Sequence, residues 1–286
     1  MSRTDLLQLA DWILIGAGTL LGLLWVLPYL RRRRDPLRPA RSRPIRLDGP
    51  QLVLILLGWM IATQAGAWAA LPLIRALFSL PDRQHADLLA AATSTAAAQL
   101  VVTPACLLIA ALAFHQGLRG LGIGRRPVLV SLAWGTGGFL ASWPPCLGLL
   151  RLSSALLERI WPGYEPQAHP VLQALHLPAL PASAAAWLYV GAICVAPVAE
   201  EVFFRGLLQS GLVRLSRSRW LAICSTAIVF GLIHRGQPQA ILPLTMLGLT
   251  LGLIYEKTGS LTAVIILHSL FNAKNLLWDA LSATAG

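Results

Sequence analysis

The chain has 286 residues, of which 56% are hydrophobic and only 12% charged, and its mean hydropathy is +0.65. That is more apolar surface than one or two water-soluble domains can bury, which excludes an ordinary soluble enzyme and requires lipid as part of the solvent. The net charge of +11 does not indicate nucleic-acid binding, because over a third of the Lys and Arg crowd into residues 31–46 without an aromatic platform or docking motif.

Runs near 20 apolar residues, enough to cross roughly 30 Å of hydrocarbon, recur along the sequence. In chain order the predicted transmembrane helices are Leu9 to Leu30, Gln51 to Ile74, Leu88 to Phe114, Val128 to Leu150, Ala184 to Val213, Trp220 to His234, Ala240 to Tyr255 and Leu261 to Leu281. The expected fold is all-α: a polytopic membrane protein of about eight transmembrane helices, with its active-site core in the C-terminal four. Residues 1–30 read as a retained anchor, because no Ala-x-Ala cleavage site follows them before the arginine block. Residues 31–50 form a basic, proline-rich linker in which Arg31, Arg32, Arg33 and Arg34 are expected to touch anionic lipid headgroups. Residues 51–183 supply accessory helices and a long loop, and residues 184–281 the core.

Short basic loops stay in the cytoplasm. Fifteen Lys and Arg fall in the connections that follow helices 1, 3, 5 and 7, against six on the other side. Both termini are therefore expected outside the cytoplasm, in a bacterial plasma (inner) membrane.

The loop Arg151 to Ser183 combines Trp161 and Tyr164 with five prolines, which predicts short interfacial pieces. Its His169 and His176 read as solvated or interfacial groups. Cys106, Cys146, Cys194 and Cys224 lie in separate apolar segments with no Cys-x-x-Cys spacing, and are expected to pack as small residues.

The chemistry falls in the last hundred residues. Glu200 and Glu201 stand side by side in an apolar segment, where each carboxylate costs roughly 2.5 to 3.5 kcal/mol on insertion scales and commonly marks a site. Residues four apart share a helix face, so Arg205 can pair with Glu201 while Glu200 points about 100° away. An unpaired, desolvated carboxylate suits a general base. Pro197 removes a hydrogen bond to the carbonyl of Ile193 and predicts a kink or an opened turn.

His234 ends the next helix, and His268 and Asn272 share a face of the last one at i and i+4. With a rise of about 1.5 Å per residue, Glu200, His234 and His268 lie roughly 12 to 21 Å from one membrane boundary, so one cavity can hold them. Two histidines and a glutamate are also reasonable zinc ligands, and spacing alone leaves that open. A proton-coupled carrier is a further alternative, although no inverted repeat supports it.

The strings Glu200-Glu201-x-x-x-Arg205, Phe230-x-x-x-His234 and His268-x-x-x-Asn272, each on its own helix, resemble the CPBP intramembrane proteases, also called the Abi or type II CAAX prenyl-protease family. The segment Gly248 to Leu261 is similar to the one preceding that family's last motif, and the resemblance spans about residues 184 to 280. It implies a cytoplasm-facing glutamic endopeptidase without a cofactor, acting on membrane-embedded or lipid-anchored peptides. Glu200 would activate the water with His234 assisting, and His268 and Asn272 would stabilise the oxyanion. Glu201 and Arg205 would support the site. A zinc-dependent version and a non-catalytic scaffold or immunity protein of the same fold are the alternatives it leaves.

Overall fold

The computed structural model describes residues 3–32, 35, 37, 44–78, 80, 82–178 and 180–283. Arg33 and Arg34, two of the four arginines expected at headgroups, lie outside the described residues, as do the side chains of Arg31 and Arg32. Among the described residues there is no strand beyond one isolated bridge between Ile45 and Phe114.

All eight expected segments are helical. They are α1 (Arg3–Arg32), α2 (Gly49–Leu77), α3 (Arg83–Ala113), α4 (Val128–Ile160), α6 (Ala182–Ser216), α7 (Arg219–Leu232), α8 (Ile241–Thr258) and α9 (Leu261–Ala283). The expected loop Arg151 to Ser183 is shorter than the sequence predicts, because α4 runs on to Ile160 before the first proline; beyond it, among the described residues, the prolines leave the six-residue α5 (Pro170–Leu175). Six of these helices are long and apolar enough to cross a membrane. The other two differ for readable reasons: α7 has only 14 residues, and α4 is diluted by glycine, serine and proline. The protein is an integral, multi-pass membrane protein, and Leu54, Ile61, Trp68, Val101 and Leu129 turn outward as lipid-facing side chains do.

Local chemistry starts the helices where the sequence places them. Asp48 closes a capping box with Gln51 at α2, Asp82 accepts from the backbone N–H groups of Gln84 and His85 at α3, and Ser218 accepts from Leu221 at α7. Helix α4 then packs against α1, α8 and α9. A Cβ added at Gly135 would stand 2.8 Å from the backbone oxygen of Ala263, so the absent side chain is what lets α4 and α9 approach.

The connections sort into two faces. On one, His115 N–H donates to Pro44 O at 3.3 Å, Arg214 Nη1 to Leu47 O at 2.6 Å and Arg126 Nε to Thr258 O at 3.1 Å. These bonds tie together the four arginine- and lysine-bearing connections. On the opposite face Gln239 binds Tyr164 and the carbonyl of Gln167, and His176 Nε2 meets Asp279 Oδ2 at 2.8 Å near the end of α9. We call these the basic face and the loop face.

The cysteines divide. Cys106 and Cys146 are buried as expected, whereas Cys194 and Cys224 are exposed on the outer surface of α6 and α7. A small apolar residue is equally at home against lipid, so composition could not separate the two cases.

Candidate active site

Helix α6 is irregular where the site lies. Two π-helical stretches, Gly191–Val195 and Val202–Gln209, flank a short α-helical piece, Ala196–Glu201. Pro197 explains the first stretch. Ala196 N–H donates five residues back to Gly191 O, so the i−5 partner of Ala192 O would be residue 197, which has no N–H. The vacant carbonyl of Ala192 instead accepts from Asn272 Nδ2 of α9 at 2.8 Å. In the second stretch the carbonyl of Arg205 accepts from the Ser210 hydroxyl at 3.0 Å. An opened turn is what Pro197 predicted; its satisfaction by Asn272 was not.

The two glutamates have unequal surroundings. Glu201 is fully buried; its Oε1 is hydrogen-bonded to His268 Nδ1 at 2.9 Å, and its Oε2, which like Glu200 Oε2 accepts no hydrogen bond among the described residues, forms an ion pair with Arg205 Nε at 3.2 Å. Arg205, also fully buried, donates from Nη2 to Gly248 O at 3.1 Å and lies 5.0 Å over the ring of Phe230. Glu200 has less. Its Oε1 accepts from Gln99 Nε2 at 3.4 Å, and its Oε2, which accepts no hydrogen bond among the described residues, lies 4.0 Å from His268 Nε2. The i,i+4 pairing of Glu201 with Arg205 is thus present. Glu200 is less solitary than the sequence suggested, because α3 brings Gln99 to it.

His268 sits between the carboxylates, one ring nitrogen toward each. His234 is half-exposed, and its Nδ1 lies 2.8 Å from Phe230 O. A carbonyl only accepts, so Nδ1 carries the proton there and, in the neutral ring, Nε2 keeps the lone pair.

Glu200, His234, His268, Asn272 and Gln99 all line one cavity of about 690 Å³. The sequence anticipated this convergence for all but Gln99. A lone Gln in an Ala-rich helix was the available signal, without any pattern to connect it to α6. The cavity occupies the loop-face half of the molecule. Its walls use Gln167 and His169 of the long loop, Gln237 and Gln239 between α7 and α8, and the loop-face halves of α3, α4, α6 and α9.

Below it the core is closed. Trp59 stacks on Phe203 with centroids 4.3 Å apart, Phe203 meets Phe204 edge-on at 4.9 Å, and Phe204 meets Phe230 at 5.2 Å. Leu121, Leu207, Leu247, Leu251 and Tyr255 continue this buried layer toward the basic face.

His169 and His176 lie in the loop as anticipated: His169 caps α5 by accepting from Val171 N–H at 3.2 Å, and His176 holds Asp279. Among the described residues no three His, Cys, Asp or Glu side chains are placed to hold a metal ion.

Residues 182–274 match a family model described as type II CAAX prenyl endopeptidase Rce1-like. Neither a curated protein nor a solved structure matches the chain. The matched segment, about a third of the chain, begins with α6 and contains all three sequence motifs. The site built by α6, α7 and α9 therefore lies in the segment that is similar to the type II CAAX prenyl endopeptidase Rce1-like model.

Proposed function

We propose that the chain is an intramembrane endopeptidase of the glutamic type, in which Glu200 activates the attacking water. The observation that supports this reading best is the inequality of the adjacent carboxylates. Glu201 is held by Arg205 at 3.2 Å and His268 at 2.9 Å, whereas Glu200 lines the cavity and, among the described residues, has Gln99 at 3.4 Å and His268 at 4.0 Å. Between Glu200 Oε2 and His268 Nε2 the distance is 4.0 Å, longer than a hydrogen bond.

In this mechanism Glu200 takes a proton as the water oxygen attacks a peptide carbonyl carbon. His234, its Nε2 lone pair available, helps to orient that water. Charge then develops on the carbonyl oxygen. In its imidazolium form His268 donates from Nδ1 to Glu201 and from Nε2 toward that oxygen. Asn272 contributes its second amide hydrogen, the first being bound to Ala192 O. Each such donor contributes about 10² to 10³ in rate. The tetrahedral species collapses by breaking the C–N bond, and the proton held by Glu200 passes to the leaving amine. Glu201 and Arg205 hold the support in place.

The substrates are membrane-embedded or lipid-anchored peptides, and the membrane is proposed to be a bacterial plasma membrane. The test is cleavage of a fluorogenic membrane-peptide library by purified protein, wild type against Glu200→Gln, with and without a chelator. Cleavage that the variant loses and the chelator spares supports the reading. Equal cleavage by both proteins, or loss in chelator alone, overturns it.

A further inference from the structure

We infer that the basic face carries a pocket for a phosphate group, the chemistry shared by an anionic lipid headgroup and a soluble phospho-compound. This pocket has no lining residue in common with the cavity at Glu200, and a ligand in it requires no proteolysis.

The hollow holds about 780 Å³, within the size range of small-molecule sites. Three pieces of chain meet there: the linker at Arg46, the connection after α3 at His115, and the turn from Arg214 to Trp220 that joins α6 to α7. Among the residues that line it are four arginines, Arg46, Arg214, Arg217 and Arg219, and one acid, Asp35. The acid is engaged elsewhere, since its Oδ1 accepts from Leu37 N–H at 3.0 Å and from Trp220 Nε1 at 3.3 Å. Arg219 has a counter-charge in Glu256, whose Oε2 lies 3.5 Å from its Nε. Among the described residues no carboxylate pairs with Arg46, Arg214 or Arg217. Arg46 Nη2 lies 3.3 Å from His115 Nδ1 and Arg214 Nη1 donates to Leu47 O at 2.6 Å, so both heads are positioned and keep further N–H groups to give. One arginine fork satisfies a carboxylate, whereas a tetrahedral phosphate offers oxygens to several, which suits three such arginines on one hollow.

The backbone favours the same ligand. Arg217 ends α6 at φ 56° and ψ 11°, the left-handed cap conformation that glycine takes without steric cost. Among the described residues it is the one non-glycine with a positive φ. An arginine in that place forgoes the easier backbone and brings a cation to the pocket. Ser218, Arg219 and Trp220, at the start of the 14-residue α7, line the hollow as well, and the positive end of that helix dipole adds to the attraction for an anion.

Lipid is the nearer of the two sources. Leu215, Trp220 and Leu221 are exposed beside these arginines at the junction of two apolar helices, as side chains at a membrane boundary are. Basic pockets between membrane helices are known places for anionic headgroups. The chain that joins Leu37 to Pro44, both lining residues, contains Arg38, Arg41 and Arg43 and no acid, so its sequence offers nothing to neutralise the site.

The test titrates the full chain, in a neutral detergent at about 0.15 M salt, with dioctanoyl phosphatidic acid, dioctanoyl phosphatidylcholine and inorganic phosphate in a calorimeter. Arg217→Gly removes the cation and gives the cap its easiest residue, so its unfolding midpoint is expected to stay level or rise, and weaker binding by this variant is not a folding defect. Phosphatidic acid is expected to bind the wild type saturably and Arg217→Gly about tenfold more weakly, the worth of one hydrogen bond to a charged group. Arg119→Gln makes the same change of charge on the basic face outside the hollow and is expected to bind like the wild type. Binding of inorganic phosphate that Arg217→Gly weakens, without binding of the lipid, supports the pocket with a soluble phospho-compound as its ligand. Equal weakening by Arg217→Gly and Arg119→Gln shows diffuse surface charge and overturns the pocket. Phosphatidylcholine binding as tight as that of phosphatidic acid overturns it too, as does the absence of binding by every probe.

Discussion

The core of this protein is divided across its thickness into a hollow half and a sealed half, built from the same helices. Helix α6 runs through both. Toward the loop face it lines the cavity with Gly191, Ala192, Ala196 and Glu200; toward the basic face it buries Phe203, Phe204, Leu207 and Leu208. Glu200 and Glu201 straddle the border, and their surroundings follow from it. On the sealed side a charge must be neutralised by protein, since no water is at hand, and Glu201 has both Arg205 and His268. Beside the cavity Glu200 has the Gln99 amide at 3.4 Å and no arginine against it among the described residues. One residue of sequence separates the acid paired with Arg205 from the acid proposed to react.

The sharpest way to break this comparison is to neutralise the hollow-side acid. Glu200→Gln keeps the shape and is expected to leave folding intact while lowering turnover by roughly 10² or more, because a general base contributes about 10² to 10⁴. Steady-state cleavage and thermal unfolding in detergent measure the two halves of that statement. Near-normal turnover would remove the distinction between the acids.

The sealed-side pair should answer in stability. Replacing Glu201 by Gln or Arg205 by Met alone leaves an uncompensated buried charge and is expected to cost about 3 to 5 kcal/mol, whereas replacing both should cost less than either. Unfolding midpoints of the two single variants and the double variant form the cycle. If Glu201→Gln unfolds like wild type yet cannot cleave, Glu201 belongs to the chemistry and the border is drawn in the wrong place.

Gln99 offers a smaller and more local test. Its amide is the protein donor to Glu200 Oε1, and a hydrogen bond to a charged group contributes about 1.5 to 3 kcal/mol. On the proposal that Gln99 orients the base, Gln99→Leu is expected to lower kcat with little change in KM. A change confined to KM would make it a substrate contact.

What the sequence disclosed about this division follows from the range of each signal. Ionisable residues inside apolar runs are visible one by one, so Glu200, Glu201, Arg205, His234 and His268 could be singled out, and helical spacing paired Glu201 with Arg205 correctly. Contacts between distant helices carry no such spacing. Gln99 lies 101 residues from Glu200, and His268 meets Glu201 across 67. Which part of the core is hollow was equally hidden. Helical rise gave the distance of each residue from one boundary, but which side of that depth is filled depends on how Trp59, Phe203, Phe204 and Phe230 stack.

The smallest expected effect concerns the device that opens α6. Ala192 O lacks its helical partner because residue 197 is proline, and Asn272 supplies the missing donor. An unsatisfied buried carbonyl costs about 1 to 3 kcal/mol, so Asn272→Ala should destabilise the wild-type chain by an amount in that range. In a Pro197→Ala background residue 197 regains an N–H, the carbonyl can be satisfied within α6, and the same Asn272→Ala change should cost under about 1 kcal/mol. Unfolding of the four proteins yields that coupling directly, and equal costs in both backgrounds would show that the carbonyl is not what Asn272 serves. Turnover separates its second role. If the remaining amide hydrogen also steadies the oxyanion, Asn272→Ala lowers kcat in both backgrounds, because restoring the helix bond at Ala192 returns nothing to the transition state.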